Sequence, residues 1–109
     1  MPSSDYNTIP KVLQVVERLQ PRSILDVGVG NGRYGFLFRE ILDLNYGRFE
    51  RDKWQVRIDG VEVDASYIAS LWPAVYDYIH IGDFNQIDIP GAYDLIFMGL
   101  LREEWEAKQ

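Results

Sequence analysis

Residues 23–38, SILDVGVGNGRYGFLF, place glycines at 28, 30, 32 and 35 between an apolar run and a helical pattern. Nothing else in the chain constrains its fold as much. Glycine loses more backbone freedom on folding than any other residue. Four within eight positions therefore imply a corner where the main chain turns tightly or approaches something closely. Gly30, Gly32 and Gly35 satisfy the G-x-G-x-x-G spacing of a nucleotide-binding strand-to-helix turn, but a tight corner alone would also account for them.

The flanking elements follow from periodicity. Thr8 can cap a first helix, with Pro10 in its first turn and apolar residues at Val12, Leu13, Val16 and Leu19. Arg22 to Val27 reads as a short buried strand. After the glycines, Tyr34, Leu37, Phe38, Ile41 and Leu42 recur at helical spacing, with Arg33, Arg39, Glu40 and Asp43 interleaved. Asn45-Tyr46-Gly47 stops this helix, and RFERDKW (48–54) reads as an exposed, charged loop whose Arg48, Arg51 and Lys53 form a small basic patch. A second strand runs through QVRIDGVEV (55–63), a short helix through 65–72, a third strand through 76–81 and a fourth through YDLIFMG (93–99). Strands alternating with helices give βαβ crossovers and a parallel sheet covered on both faces, with spatial order 3-2-1-4. The fold class is thus α/β, a three-layer, Rossmann-like, partial doubly wound sheet in a single domain spanning 1–109.

Bulk composition narrows function by exclusion. The 109 residues carry a net charge of −6, which disfavours a broad phosphate-binding surface and hence nucleic acid as a partner. With no cysteine and one histidine, His80, thiolate chemistry is excluded and no metal site is expected. The polar start and the lack of any long apolar run predict a cytoplasmic chain with no membrane partner.

In a sheet of this order the ligand crevice lies at the carboxyl end of strand one, where the glycines are. A dinucleotide reading wants a ribose-binding acid about 20 residues on. The acid at the end of strand two, Glu62, lies further away, Asp52 falls in the charged loop, and Asp26 would repel a pyrophosphate. An NAD(P)-binding protein is therefore the less favoured alternative.

The pattern ILDVGVGNG resembles motif I of the class I S-adenosylmethionine-dependent methyltransferases. GVEVD (60–64) is similar to that family's acidic end of strand two, IGDF (81–84) to its adenine-binding corner, and YDLIFMG to its fourth strand. These elements occur in the family's order over residues 22–99. The resemblance implies S-adenosylmethionine as cofactor and methyl transfer to an O, N or C nucleophile. It implies that Asp26, Gly28, Gly30 and Gly32 shape the methionine side of the pocket and that Glu62 accepts from the ribose hydroxyls. Val63 would pack on adenine, Asp83 would accept from its amino group, Phe84 would touch the ring, and Met98 and Gly99 would lie below the methionyl arm. Acidic side chains suit this ligand, which carries a sulfonium, an ammonium and two ribose hydroxyls but no phosphate. No catalytic residue is singled out. The acceptor is expected to be a small molecule or a protein.

Each position also has a plainer account. Asp26 could cap the glycine turn, Glu62 and Asp83 could be exposed strand-end acids, and Phe84 and Met98 could be core. His80 reads as structural, and Asp64 and Ser66 as caps of the next helix. Tyr34, Tyr67, Trp72 and Tyr76 could line a substrate mouth or fill the core.

The family pattern continues with strands five to seven, so the resemblance implies a shortened domain lacking them, either an enzyme or a non-catalytic cofactor-binding module or fragment. Strand four would then present an apolar edge. That predicts covering by a C-terminal helix through Leu100, Leu101 and Trp105, or a homodimer through that edge or helix.

Overall fold

The computed structural model describes residues 7–64, 66 and 72–98. Helix α1 is Ile9–Leu19, strand β1 Ser23–Val27, helix α2 Arg33–Leu42, strand β2 Arg57–Glu62, strand β3 Tyr78–Ile81 and strand β4 Leu95–Phe97. Short 3-10 turns lie at Leu44–Tyr46, Arg51–Lys53 and Trp72–Ala74. The strands form one sheet in the order β3-β2-β1-β4, and every pairing is parallel. This is the order expected from the sequence. β1 pairs with β2 on one side and β4 on the other, Asp26 standing beside Gly60 and Phe97. The reversal of strand order thus falls at the end of β1, where the glycines begin.

Helix α1 starts where expected, with a proline in its first turn, but the Thr8 side chain makes no capping bond. Thr8 is itself helical in conformation, and its carbonyl accepts from Val12 N–H. The helix ends at Gln20, left-handed at φ 48°, whose backbone N–H bonds the Val16 carbonyl. Of its predicted apolar stripe Val16 is buried, Val12 and Leu13 pack against the core, and Leu19 is exposed.

The sheet's two faces are covered differently. On one, α1, α2 and the 72–76 segment enclose Val16, Ile24, Phe38, Leu42, Ile58, Val75 and Tyr76. On the other, Leu25, Val27 and Val61 are covered by Phe84, Ile87, Ile89 and Tyr93. Among the described residues the second face is covered by the irregular connection between β3 and β4. Two residues in this connection, Pro90 and Gly91, oppose a helical conformation there. Helix 65–72 of the sequence reading, the C-terminal helix and Tyr67 lie outside the described residues, apart from Ser66 and the turn at Trp72. No described helix is long and apolar enough to cross a membrane.

The charged loop after α2 is largely exposed, as its composition suggested, but two of its arginines are bonded to the domain. Arg48 donates from Nε to Asp43 Oδ1 at 2.6 Å and from Nη2 to the Leu42 carbonyl at 2.6 Å. Arg51 donates to the carbonyls of Pro73 and Asp77. The arginines of the supposed basic patch thus fasten the loop to the domain.

Beneath them Arg39 and Asp43, one helical turn apart on α2, are both fully buried. Arg39 donates to the Val75 carbonyl (3.0 Å), Asp43 Oδ2 (2.7 Å), the Val56 carbonyl (2.6 Å) and Asp77 Oδ2 (3.1 Å). Its guanidinium carbon lies 3.7 Å from the ring centroid of Trp54. Burial alone raises the Asp43 pKa. The Gln55 N–H, Arg48, Arg39 and the Val56 N–H outweigh it and hold the carboxyl below its ordinary value.

Candidate functional site

The corner after β1 is built from left-handed glycines. Gly28, Gly30 and Gly32 have φ of 84°, 57° and 91°, a region that side chains with a Cβ rarely enter. Gly28 and Val29 both donate to the Val61 carbonyl, at 2.8 and 3.2 Å, which ties the corner to the end of β2. Gly32 N–H closes the turn on the Val29 carbonyl at 3.0 Å, and α2 begins at the next residue.

Glu62 ends β2 and reaches into this corner. It is 5% exposed, so it is not the free strand-end acid of the plainer reading. Its Oε1 accepts from Gly30 N–H at 2.7 Å and its Oε2 from Asp64 N–H at 3.0 Å. A carboxylate offers about four acceptor positions, so roughly half of its capacity is left.

Asp26 lies beneath the corner, buried, with Oδ2 accepting from the Tyr76 hydroxyl at 2.6 Å. Its carboxyl is turned into the helix layer, toward Tyr76. Burial pushes its pKa from 3.8 up to about 7; the Tyr76 bond opposes the shift and the negative field of Glu62 adds to it. Tyr76 and Glu62 are the titratable groups that face it. Burial and Asp26 in turn raise the Tyr76 hydroxyl well above its ordinary value.

The sign of the pH effect follows. Between 3.8 and about 7 the native state holds a proton that the unfolded chain has released, so the stability from this group is complete below 3.8 and lost as pH rises through 7. Asp26→Asn keeps an acceptor for Tyr76 and removes the titration. In denaturant unfolding at several pH values, the variant's stability relative to the parent should climb from pH 4 to 7 and then level off. A difference independent of pH would contradict the assignment.

Tyr76 and the turn before it were not singled out for this role by the sequence. The Tyr76 ring lies among three glycines of different elements: a Cβ on Gly32 would stand 3.5 Å from Cε2, one on Gly60 3.3 Å from Cε1, and one on Gly35 2.6 Å from Cε1 and closer still to Cζ and Oη. Trp72, 5% exposed, donates from Nε1 to the Gly30 carbonyl at 3.1 Å. Tyr34, Trp72 and Tyr76 are therefore buried core residues, and Trp72 and Tyr76 also line one wall of a cleft. The one available signal was Gly35, a glycine inside a helix, which marks close approach by a neighbour.

The remaining predicted residues are only partly gathered at this end of the sheet. Val63 follows Glu62 and is 69% exposed, an apolar side chain beside the crevice. Met98, just past β4, is at 36%. Asp83, after β3, is half-buried and bonds its own turn, with Oδ1 accepting from Asn85 N–H at 2.9 Å and its carbonyl from Gln86 and Ile87. Phe84 packs into the second-face cluster, as the core reading had it. His80 is half-buried with its ring edge-on to Tyr78 at 4.7 Å, in keeping with a structural role. Asp64 Oδ1 accepts from Ser66 N–H at 2.9 Å, and Gly99 lies outside the described residues. A cleft of about 320 Å³ opens beside the corner between Gly32, Phe36, Trp72 and Val75. Its walls are apolar, and Glu62, Asp83 and Met98 lie outside it.

No protein-family model matches the chain, and no curated protein does. Solved structures do. A cmcI structure in an SAH form aligns over 96% of this chain with a TM-score of 0.62 and 23% identity, and cmcI in a Mg-SAM form over 96% with 0.59 and 22%. The O-methyltransferase TomG from Streptomyces achromogenes, involved in tomaymycin synthesis and solved in complex with SAM, aligns over 96% with 0.60 and 18%. The chain spans about half the length of these structures, 52%, 47% and 51% respectively. At such identities the likeness is one of fold: the chain has the same Rossmann-like α/β fold as these structures.

Proposed function

We propose that this chain binds S-adenosylmethionine at the carboxyl ends of β1, β2 and β4 and forms the cofactor-binding part of a methyltransferase. The observation that carries the reading is Glu62 on Gly30. The glycine-corner N–H that a pyrophosphate would need is already held by a carboxylate, and that carboxylate keeps acceptor capacity for a diol. Negative charge at the corner repels a dinucleotide and favours a ligand with cationic centres. The solved structures of the same fold that carry SAM or SAH support the same choice.

In this reading Glu62 accepts from the ribose hydroxyls, Val63 covers the adenine, and the second oxygen of Asp83 takes the adenine amino group. Phe84 stiffens that turn from the sheet side. Gly28, Gly30 and Gly32 let the main chain approach the methionyl portion, with Met98 across from them and Asp26 below the corner. When bound, the cofactor supplies an electrophilic methyl on a sulfonium. The residues of this chain hold and orient it, and such positioning accounts for much of the barrier in a displacement of this kind. The acceptor is a small molecule or a protein, because the net charge is negative and Arg48 and Arg51 are bonded internally.

Calorimetric titration with S-adenosylhomocysteine tests the proposal. The parent chain should bind, and Glu62→Gln should bind about tenfold more weakly or worse, since a hydrogen bond to a charged group contributes about 1.5–3 kcal/mol. Binding of NADH in its place would refute the reading. Turnover with a candidate acceptor then separates an enzyme from a module that only binds.

A further inference from the structure

A corner containing three alternating left-handed glycines has many accessible backbone states, so something outside it must select one. Main-chain bonds fix the peptides on either side: Gly28 and Val29 to Val61, and Gly32 to Val29. The bonds that hold Gly30 are made by side chains. Its N–H goes to Glu62 Oε1 at 2.7 Å, and its carbonyl accepts from Trp72 Nε1 at 3.1 Å. The two contacts bracket one residue. Together they hold the two peptides that flank its Cα, and so fix its φ and ψ.

From this arrangement we infer that Trp72 is a positioning residue for Glu62, acting through Gly30 and setting the direction in which that carboxylate meets its ligand. The inference rests on the cofactor reading above. Trp72 is well placed for the role, since its ring is 5% exposed, packs in the helix-side core and stands within 3.6–3.8 Å of the position a Cβ on Gly32 would take. A rigid, buried indole is a fixed donor. It holds the Gly30 carbonyl without ordering a flexible side chain on binding.

The test is a double-mutant cycle on S-adenosylhomocysteine affinity, measured by calorimetry on the full chain. Trp72→Phe keeps an aromatic ring and removes the donor, and it should weaken binding about tenfold, as expected for residues coupled in one network. In a Glu62→Gln background the same change should have less than about a twofold effect, because the group it positions has already been altered. Equal losses in both backgrounds would make Trp72 a packing residue only and overturn the inference, as would full affinity in the single variant. If Trp72→Phe does not fold, an indole isostere with sulfur in place of the ring N–H carries the same cycle. Absence of binding by the parent chain would overturn the cofactor reading itself, and it would be seen before any substitution is made.

Discussion

Arg39→Met should remove about 3–5 kcal/mol of stability, the usual loss when one member of a buried ion pair is deleted. Arg39 and Asp43 are both fully buried, and the substitution takes from Asp43 the buried one of its two cationic partners. It also strips a hydrogen bond from the carbonyls of Val56 and Val75, which accept from the guanidinium at 2.6 and 3.0 Å. Arg48 still reaches Asp43 Oδ1, which prevents a larger loss. Lysine is no substitute, because one ammonium cannot present the planar fork that meets Asp43, Asp77 and two carbonyls at once, nor stack on Trp54 in the same way. Single domains have only about 5–15 kcal/mol in total, so much of the variant would be unfolded in mild urea. Lys11→Met, on the exposed side of α1, should stay within about 0.5 kcal/mol in the same titration. A common midpoint for the two variants would mean that the Arg39 network contributes nothing.

That network also shows where reading the sequence stops. The β1 corner, the start of α2 and the 3-2-1-4 order were legible because each follows from local chemistry or from the handedness of crossovers. Glu62 was legible for a similar reason, since it stands at the end of a strand whose position relative to the corner is fixed by topology. Arg39 and Asp43 were not. A charged pair four residues apart on a helix reads as a solvated surface pair, and nothing local distinguishes the two cases. Its partners lie 17, 36 and 38 residues further along the chain at Val56, Val75 and Asp77. Trp72 and Tyr76 escaped for the same reason, their bonds to Gly30 and Asp26 spanning 42 and 50 residues. The cover on the second face was missed differently: Ile87 and Ile89 sit in a turn-rich stretch whose apolar residues declare no period.

Gly35→Ala puts local and tertiary effects in direct opposition. Gly35 lies within α2 and is not among the positive-φ glycines, so helix propensity alone predicts a gain of about 0.8–1 kcal/mol. The tertiary contact opposes it. An added Cβ would stand 2.6 Å from Tyr76 Cε1 and closer to Cζ and Oη, which no relaxation of a few tenths of an ångström can absorb. Nor can the ring retreat, because Gly32 and Gly60 already bring the corner and β2 close to it and its hydroxyl is anchored on Asp26. Overpacking costs about 1–3 kcal/mol, occasionally more, and losing the Asp26 bond leaves a buried carboxyl without its partner at about 1–3 kcal/mol further. The net expectation is a loss of about 3 kcal/mol by urea unfolding. Tyr76→Leu supplies the decisive background, since it removes the hydroxyl and the far edge of the ring and leaves the helix unchanged. There Gly35→Ala should turn neutral or mildly stabilising, as propensity is the only term left. If the alanine is tolerated equally well with tyrosine in place, Tyr76 does not occupy the space between α2 and β2, and its bond to Asp26 beneath the glycine corner goes with it.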